Sequence, residues 1–221
     1  MNLSLTDINV KNISCLHYLT QDDIPGMTHA LLAEEACIGG IDWIQLRTKN
    51  KSGKRWEAVA LSVQKVTKKY GATLIINDNV ALALKIKADG VHIGKQDMNP
   101  VEARKILGNE FIIGGTANSE EDILRLLDAG VDYIGLGPFR FTRTKQNLSP
   151  VLNSEELKRL IHIQSEIPVL LIGGIELHHI IGISDLGAYG IAVSSAINAS
   201  KNPAEAAVFF AAETKKYFKN D

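Results

Sequence analysis

Two carboxylates, a few cations and a set of glycines and hydroxyls are the residues of this sequence whose types and spacing suit chemistry. Arg47 and Lys49 alternate within Gln45-Leu46-Arg47-Thr48-Lys49. In an extended segment, alternate side chains emerge on the same side. With Lys145, from Thr142-Arg143-Thr144-Lys145, they form a cationic set. Converging cations call for an anion, and a diphosphate suits them, although a lone lysine is more often a solvated surface charge. Asp78 and Asp97 are the paired carboxylates. Their hard oxygens suit Mg²⁺, which is typically held by one or two carboxylates plus substrate phosphates. The plainer reading makes them loop carboxylates, one of them capping the helix after Asp78. Gly173-Gly174 and Ser194-Ser195 complete the set. Glycines let backbone approach a ligand closely, and a short helix opening at Ser194-Ser195 would turn free N–H groups toward a phosphate. A tight turn followed by an N-cap is the alternative.

Other features point less clearly. His92 reads equally as a core histidine or a site residue. His178-His179 is a dipeptide without ligand spacing, expected at the surface, and Trp43 and Trp56 are expected to pack. Cys15 and Cys37 lack CxxC spacing, so both are read as buried thiols in a reducing compartment. No nucleophile elbow, HExxH or Walker motif is present.

The elements that must position these residues alternate along the chain. Short apolar runs read as buried parallel strands at Cys15–Leu19, Ile41–Arg47, Thr73–Asn77, Gly90–Ile93, Phe111–Gly114, Tyr133–Gly137, Val169–Ile172 and Gly190–Val193. Helical periodicity predicts helices over Thr28–Ile38, Lys54–Tyr70, Asn99–Leu107, Ser119–Ala129, Ser154–Gln164 and Pro203–Phe218. Start signals support several: Ser119 before an acidic turn, Ser154-Glu155-Glu156, and Asn202 followed by Pro203. Eight such units in 221 residues fit a small α/β protein with the (β/α)8 TIM-barrel fold. An open doubly wound sheet would be expected to carry GxGxxG after its first strand, where this chain has Thr20-Gln21-Asp22-Asp23. An internal echo favours the barrel. Gly40-Ile41-Asp42-Trp43-Ile44, Ala88-Asp89-Gly90-Val91-His92, Gly130-Val131-Asp132-Tyr133-Ile134 and Gly187-Ala188-Tyr189-Gly190-Ile191 share one shape and fall on the even strands. In a barrel the active site lies at the C-terminal ends of the strands, and the candidate residues sit at one such end after another.

Composition sets outer bounds. With 45% hydrophobic residues the chain can bury a core without a disulfide or metal staple. A formal charge of −1 gives no general attraction to nucleic acid or anionic membrane. The longest apolar run, Ile167 to Ile175, is broken by Pro168 and two glycines and falls far short of the roughly 20 residues that span a bilayer. Met1–Asn12 has no apolar h-region, so a cytoplasmic location is expected. The reading is one domain over 1–221, with 1–14 as an N-terminal extension, and it leaves homo-oligomerisation open.

Taken in order, the motifs resemble the thiamine-phosphate synthase family, also called thiamine-phosphate pyrophosphorylase, over nearly the whole chain. They are Gln45-Leu46-Arg47-Thr48-Lys49, Ile76-Asn77-Asp78, Ala88-Asp89-Gly90-Val91-His92-Ile93-Gly94, Asp97, Ile112-Ile113-Gly114-Gly115-Thr116, Asp132-Tyr133-Ile134-Gly135-Leu136-Gly137-Pro138, Thr142-Arg143-Thr144-Lys145, Ile172-Gly173-Gly174-Ile175 and Ser194-Ser195-Ala196-Ile197. The resemblance implies a transferase that joins hydroxymethylpyrimidine diphosphate to thiazole phosphate, giving thiamine phosphate and pyrophosphate by dissociative substitution. It implies that Gln45, Arg47, Lys49, Asn77, Thr116 and Lys145 hold the pyrimidine diphosphate, with Arg47, Lys49 and Lys145 stabilising the leaving group. Asp78 and Asp97 would hold Mg²⁺, and Thr142, Thr144, Gly174, Ser194 and Ser195 the thiazole phosphate. Three positions depart from the pattern: Thr116 replaces a common Ser, Asn118 a common His, and Asn153 a common Gly. The related thiazole tautomerase group, which only isomerises and uses a histidine near position 118, is the alternative. A non-catalytic phosphometabolite-binding regulator is another. The full diphosphate and metal set, together with Asn118, favours the synthase.

Overall fold

A computed structural model of the chain describes residues 11–48, 53–142, 149–163 and 167–218. Eight parallel strands close into a barrel in sequence order: β1 (Leu16–Leu19), β2 (Trp43–Leu46), β3 (Thr73–Asn77), β4 (Gly90–Ile93), β5 (Ile112–Ala117), β6 (Tyr133–Leu136), β7 (Val169–Ile172) and β8 (Gly190–Val193). β8 pairs back onto β1, with Leu16 opposite Ile191, so no strand edge is left open. Around the barrel run α1 (His29–Ile38), α2 (Gly53–Tyr70), α3 (Val80–Ile86), α4 (Pro100–Leu107), α5 (Glu120–Asp128), α6 (Ser154–Ile161), α7 (Ile180–Asp185), α8 (Ser195–Asn198) and α9 (Pro203–Tyr217). A 3-10 turn at Leu177–His179 leads into α7.

The (β/α)8 reading therefore holds, with local differences that have physical causes. The helices after β3, β7 and β8 are too short to show a period. α3 is capped by the Asn79 side chain, which accepts from Leu82 N, so the cap is Asn79 and not Asp78. α6 begins at Ser154 as expected, but its cap is the preceding residue. Asn153 caps it in a reciprocal box with Glu156, which gives this departure from the family pattern a structural role. Asn202 caps α9 as expected, with Pro203 in its first turn.

The core has two parts. Between barrel and helices lies a large apolar shell, exemplified by Ile44, Ile76, Val91, Ile134 and Ile191. Inside the barrel, Ile13, Trp43, Ile75, Ile112, Tyr133 and Leu170 form a separate floor. Strand pleating turns alternate residues inward, so the strand residues of this floor lie one step below those facing the mouth. His17 stacks on Trp43 at 4.3 Å between ring centroids and meets Tyr133 edge-on at 4.9 Å. Burial holds the His17 ring well below its ordinary pKa, and therefore neutral. Gly90 and Gly190, the small members of the sequence echo, admit close strand approach. A Cβ on Gly190 would stand 2.1 Å from the Cys15 carbonyl oxygen.

Residues 11–14 pack against the barrel. Lys11 pairs with Asp132 at 2.9 Å and donates to the Phe111 carbonyl, and Ile13 is buried in the floor. The cysteines are unbridged. Cys37 is buried, which pushes its thiol up to about 11, whereas Cys15 is only half-buried, not the second buried thiol the sequence suggests.

Candidate active site at the C-terminal strand ends

A cavity of about 580 Å³ opens at the C-terminal ends of the strands, within the size range of small-molecule sites. Every expected site residue that falls within the described chain lines it, from Gln45, Arg47, Asn77, Asp78, Asp97 and Thr116 on one side to Thr142, Gly174, Ser194 and Ser195 on the other. Lys49, Thr144 and Lys145 lie outside the described residues.

The wall at β2–β4 is electrostatically distinctive. Asp78 sits at the end of β3 with φ of 64°, and its backbone N–H donates to the His92 carbonyl at 2.8 Å. That left-handed turn directs the chain out of the strand beside Asp97. Gly94 N donates to the Asp97 carboxylate at 3.1 Å. A Cβ on Gly94 would stand 2.5 Å from Asp97 Oδ2 and 3.7 Å from Asp78 Oδ1, so a side chain there would displace the Asp97 carboxylate from this position. Burial and the facing Asp97 carboxylate push Asp78 up to about 7, while Arg47 opposes the rise. The half-buried Arg47 guanidinium is itself drawn down by burial and held up by Asp78 and Asp22. Its backbone N–H donates to Thr20 Oγ1 at 3.2 Å. Behind it, Asp22 accepts from Thr48 at 2.7 Å and meets the buried His29 at 3.0 Å, which ties the β1–α1 loop to the end of β2.

The opposite wall is built from β7 and β8. Gly173 and Gly174 have φ of 101° and 63°, a run of left-handed backbone that favours glycine. A Cβ on Gly174 would also press to 2.7 Å from the Phe141 carbonyl oxygen. The two serines differ. Ser194 donates to the Leu19 carbonyl at 3.1 Å and accepts from Asn198 Nδ2 at 3.0 Å, so its hydroxyl is engaged inside the fold. Asn198 also accepts from the buried Tyr18 hydroxyl. Ser195 is exposed on the cavity wall.

His92 joins both readings given to it by the sequence. It is buried, yet it lines the cavity and contacts Thr116 at 2.9 Å. Lining residues the sequence reading did not single out include Lys95, which pairs with Asp122 at 2.7 Å, and Ser149, which donates to Asn118 Oδ1 at 2.8 Å. Asn118 in turn donates to the Gly137 carbonyl. Loop position alone carried no signal for them. His178 lies at the surface as expected, while His179 packs edge-on against Phe139.

Fold and cavity together define a β/α-barrel enzyme whose cleft, mounted on the strand ends, carries charged and hydroxyl side chains among apolar ones. The comparisons narrow this class. The family model described as thiamine monophosphate synthase matches residues 16–197. The thiamine-phosphate synthase of Phocaeicola vulgatus is 48% identical over 83% of this chain and 87% of its own length. Thiamine-phosphate synthase 1 of Aquifex aeolicus is 42% identical over 74% of this chain and 75% of its own. The solved thiamine phosphate pyrophosphorylase from Pyrococcus furiosus superposes with a TM-score of 0.83 at 28% identity, covering 92% of this chain and 96% of that one. The chain belongs to the thiamine-phosphate synthase family and is a transferase of thiamine biosynthesis. Among the described residues, no helix is long and apolar enough to cross a membrane.

Proposed function

We propose that the cavity condenses hydroxymethylpyrimidine diphosphate with thiazole phosphate, releasing pyrophosphate and forming thiamine phosphate with the help of Mg²⁺. The observation that carries this reading is the carboxylate pair Asp78–Asp97 set against Arg47 on one wall, opposite the glycine and serine turns of β7 and β8. A diphosphate and its cation suit the first wall, and a monophosphate suits the second.

The donor set fits Mg²⁺. Two hard carboxylates face each other, and one has its ionisation suppressed by the other and by burial. An ion held by one or two carboxylates is completed by water and substrate oxygens. Asp78 and Asp97 would hold it, and when bound it would neutralise charge on the diphosphate.

Residue roles follow from charge. As the carbon–oxygen bond to the diphosphate breaks, its electron pair stays with the leaving group, and negative charge grows there. Arg47, with Lys49 and Lys145, would stabilise that charge more in the transition state than in the ground state. Gln45, Asn77 and Thr116 would orient the pyrimidine and its diphosphate. Thr142, Thr144, Gly174, Ser194 and Ser195 would seat the thiazole phosphate so that the ring nitrogen supplies the electron pair for the new carbon–nitrogen bond. For Ser194 the contribution falls to its backbone, because its hydroxyl is engaged by Leu19 and Asn198. The pyrimidine stabilises its own methyl cation, so the site must mainly orient and exclude water. A cytoplasmic location fits this use of small soluble substrates.

Incubation with both substrates and Mg²⁺, followed by detection of thiamine phosphate and pyrophosphate, tests the reading. Formation of both supports it. Thiazole isomerisation without condensation would move the assignment to the tautomerase alternative.

A further inference from the structure

The outer surface of α9 departs from the usual pattern of a barrel helix. Its exposed residues are Glu205, Val208, Phe209, Ala212, Lys215 and Lys216, and their spacing of three and four makes them one stripe along the helix. The opposite face, with Ala207, Phe210 and Thr214, is buried. The outward stripe of a surface helix is ordinarily polar. α6 follows that rule, with Ser154, Glu155, Glu156, Lys158 and Arg159 exposed. On α9 the middle of the stripe is apolar instead. Phe209 is 52% exposed and Val208 49%. The end of α1 widens this surface. A Cβ on Gly39 would stand 2.3 Å from Ala207 Cβ and 2.9 Å from Val208 N, so that end lies directly on α9, and Ile38 beside it is 56% exposed.

An apolar patch rimmed by charge marks an association surface, and the order of the charges identifies the partner. The stripe starts at the acidic Glu205 and ends at the basic Lys215 and Lys216, the latter resting on the Tyr217 ring. That order suits the helix's own macrodipole. It also makes the stripe complementary to itself turned end for end. Glu205 and Lys216 are centred on the same point as Phe209 and Ala212, between Phe210 and Ala211. One two-fold axis through that point sets Glu205 toward Lys216 of the partner subunit and the Phe209 ring against Ala212 of the partner subunit, each contact occurring twice. Glu205 and Lys216 lie about 16 Å apart along the helix, so the ion pairs flank the apolar centre and leave it dry. A large residue against a small one lets the two axes reach the roughly 8–10 Å of packed helices. We propose that two copies of this chain associate through α9, packed antiparallel about this axis, with the Ile38 end of α1 enlarging the contact.

Sedimentation velocity of the full-length protein over a dilution series tests this. The expected result is a reversible monomer–dimer equilibrium. Phe209→Glu should raise the dimer Kd about 30-fold or more, the scale of losing a central aromatic contact. Glu205→Lys should raise it about tenfold, and so should Lys215→Glu combined with Lys216→Glu, because each variant sets like charges against each other at both ends. The two charge variants mixed in equal amounts should form a heterodimer with close to the parental Kd, since opposite charges then face each other again at both ends. That mutual rescue is specific to antiparallel pairing. A parent that stays monomeric at its highest soluble concentration overturns the proposal. A dimer indifferent to Phe209→Glu places the contact elsewhere and overturns it too, as do charge variants that fail to rescue each other. Should Phe209→Glu fail to fold, the mixing experiment decides.

Discussion

At the scale of single residues, Asp78 is the most informative group. Its folded pKa of about 7 lies above the unfolded carboxylate value near 3.8. The folded state therefore binds a proton more tightly than the unfolded chain, so metal-free stability declines as pH rises from about 4 to 7. Asp78→Asn removes that titration. In chemical denaturation with EDTA present, the variant should gain on the parent steadily between pH 4 and pH 8; a constant difference would contradict the origin assigned to the shift. Lys145 belongs at the same scale through the family pattern. Lys145→Ala should reduce turnover by about 10²-fold, the scale of losing one transition-state donor. Near-parental single-turnover rates would remove it from the leaving-group role.

At the scale of elements, what the sequence revealed follows from burial. The strands were legible because a sheet covered on both faces needs continuous apolar runs, as in Val169–Ile172. The even-strand echo becomes intelligible once closed: Trp43 and Tyr133 fill the floor while Gly90 and Gly190 make room for neighbouring strands. The site walls were legible by residue type, because strand order maps directly onto position around a barrel. The partition of Ser194 from Ser195, and the contacts of His92 with Tyr133 and Thr116, were not. They depend on register between strands far apart in sequence, which local periodicity does not encode. Two element-scale outcomes follow. Gly190→Ala should destabilise the fold by about 1–3 kcal/mol, read from urea denaturation, because its Cβ meets the rigid backbone of Cys15. Asn153→Ala should cost about 1 kcal/mol through loss of the α6 cap, whereas Asn153→Gly should cost only about a few tenths, both read from urea denaturation.

At the scale of the whole molecule, a chain with a net charge of −1 concentrates opposed charges at one end of the barrel. The two carboxylates and the cations hold a single small region in balance, and an ion bound there couples to the fold. Activity should vanish with EDTA and return with Mg²⁺. Thermal stability of the EDTA-treated protein should rise as Mg²⁺ is titrated back, following the logarithm of free ion over its dissociation constant. Metal-independent synthesis would overturn the roles proposed for Asp78 and Asp97.

The packed floor carries a consequence for traffic. Trp43, Tyr133, Ile75, Ile112 and Leu170 close the barrel from below, and His17 stacks into the same plug. Among the described residues, the cavity is therefore closed toward the floor and opens at the C-terminal strand ends. A molecule seated against the floor would have to arrive before one seated above it and leave after it.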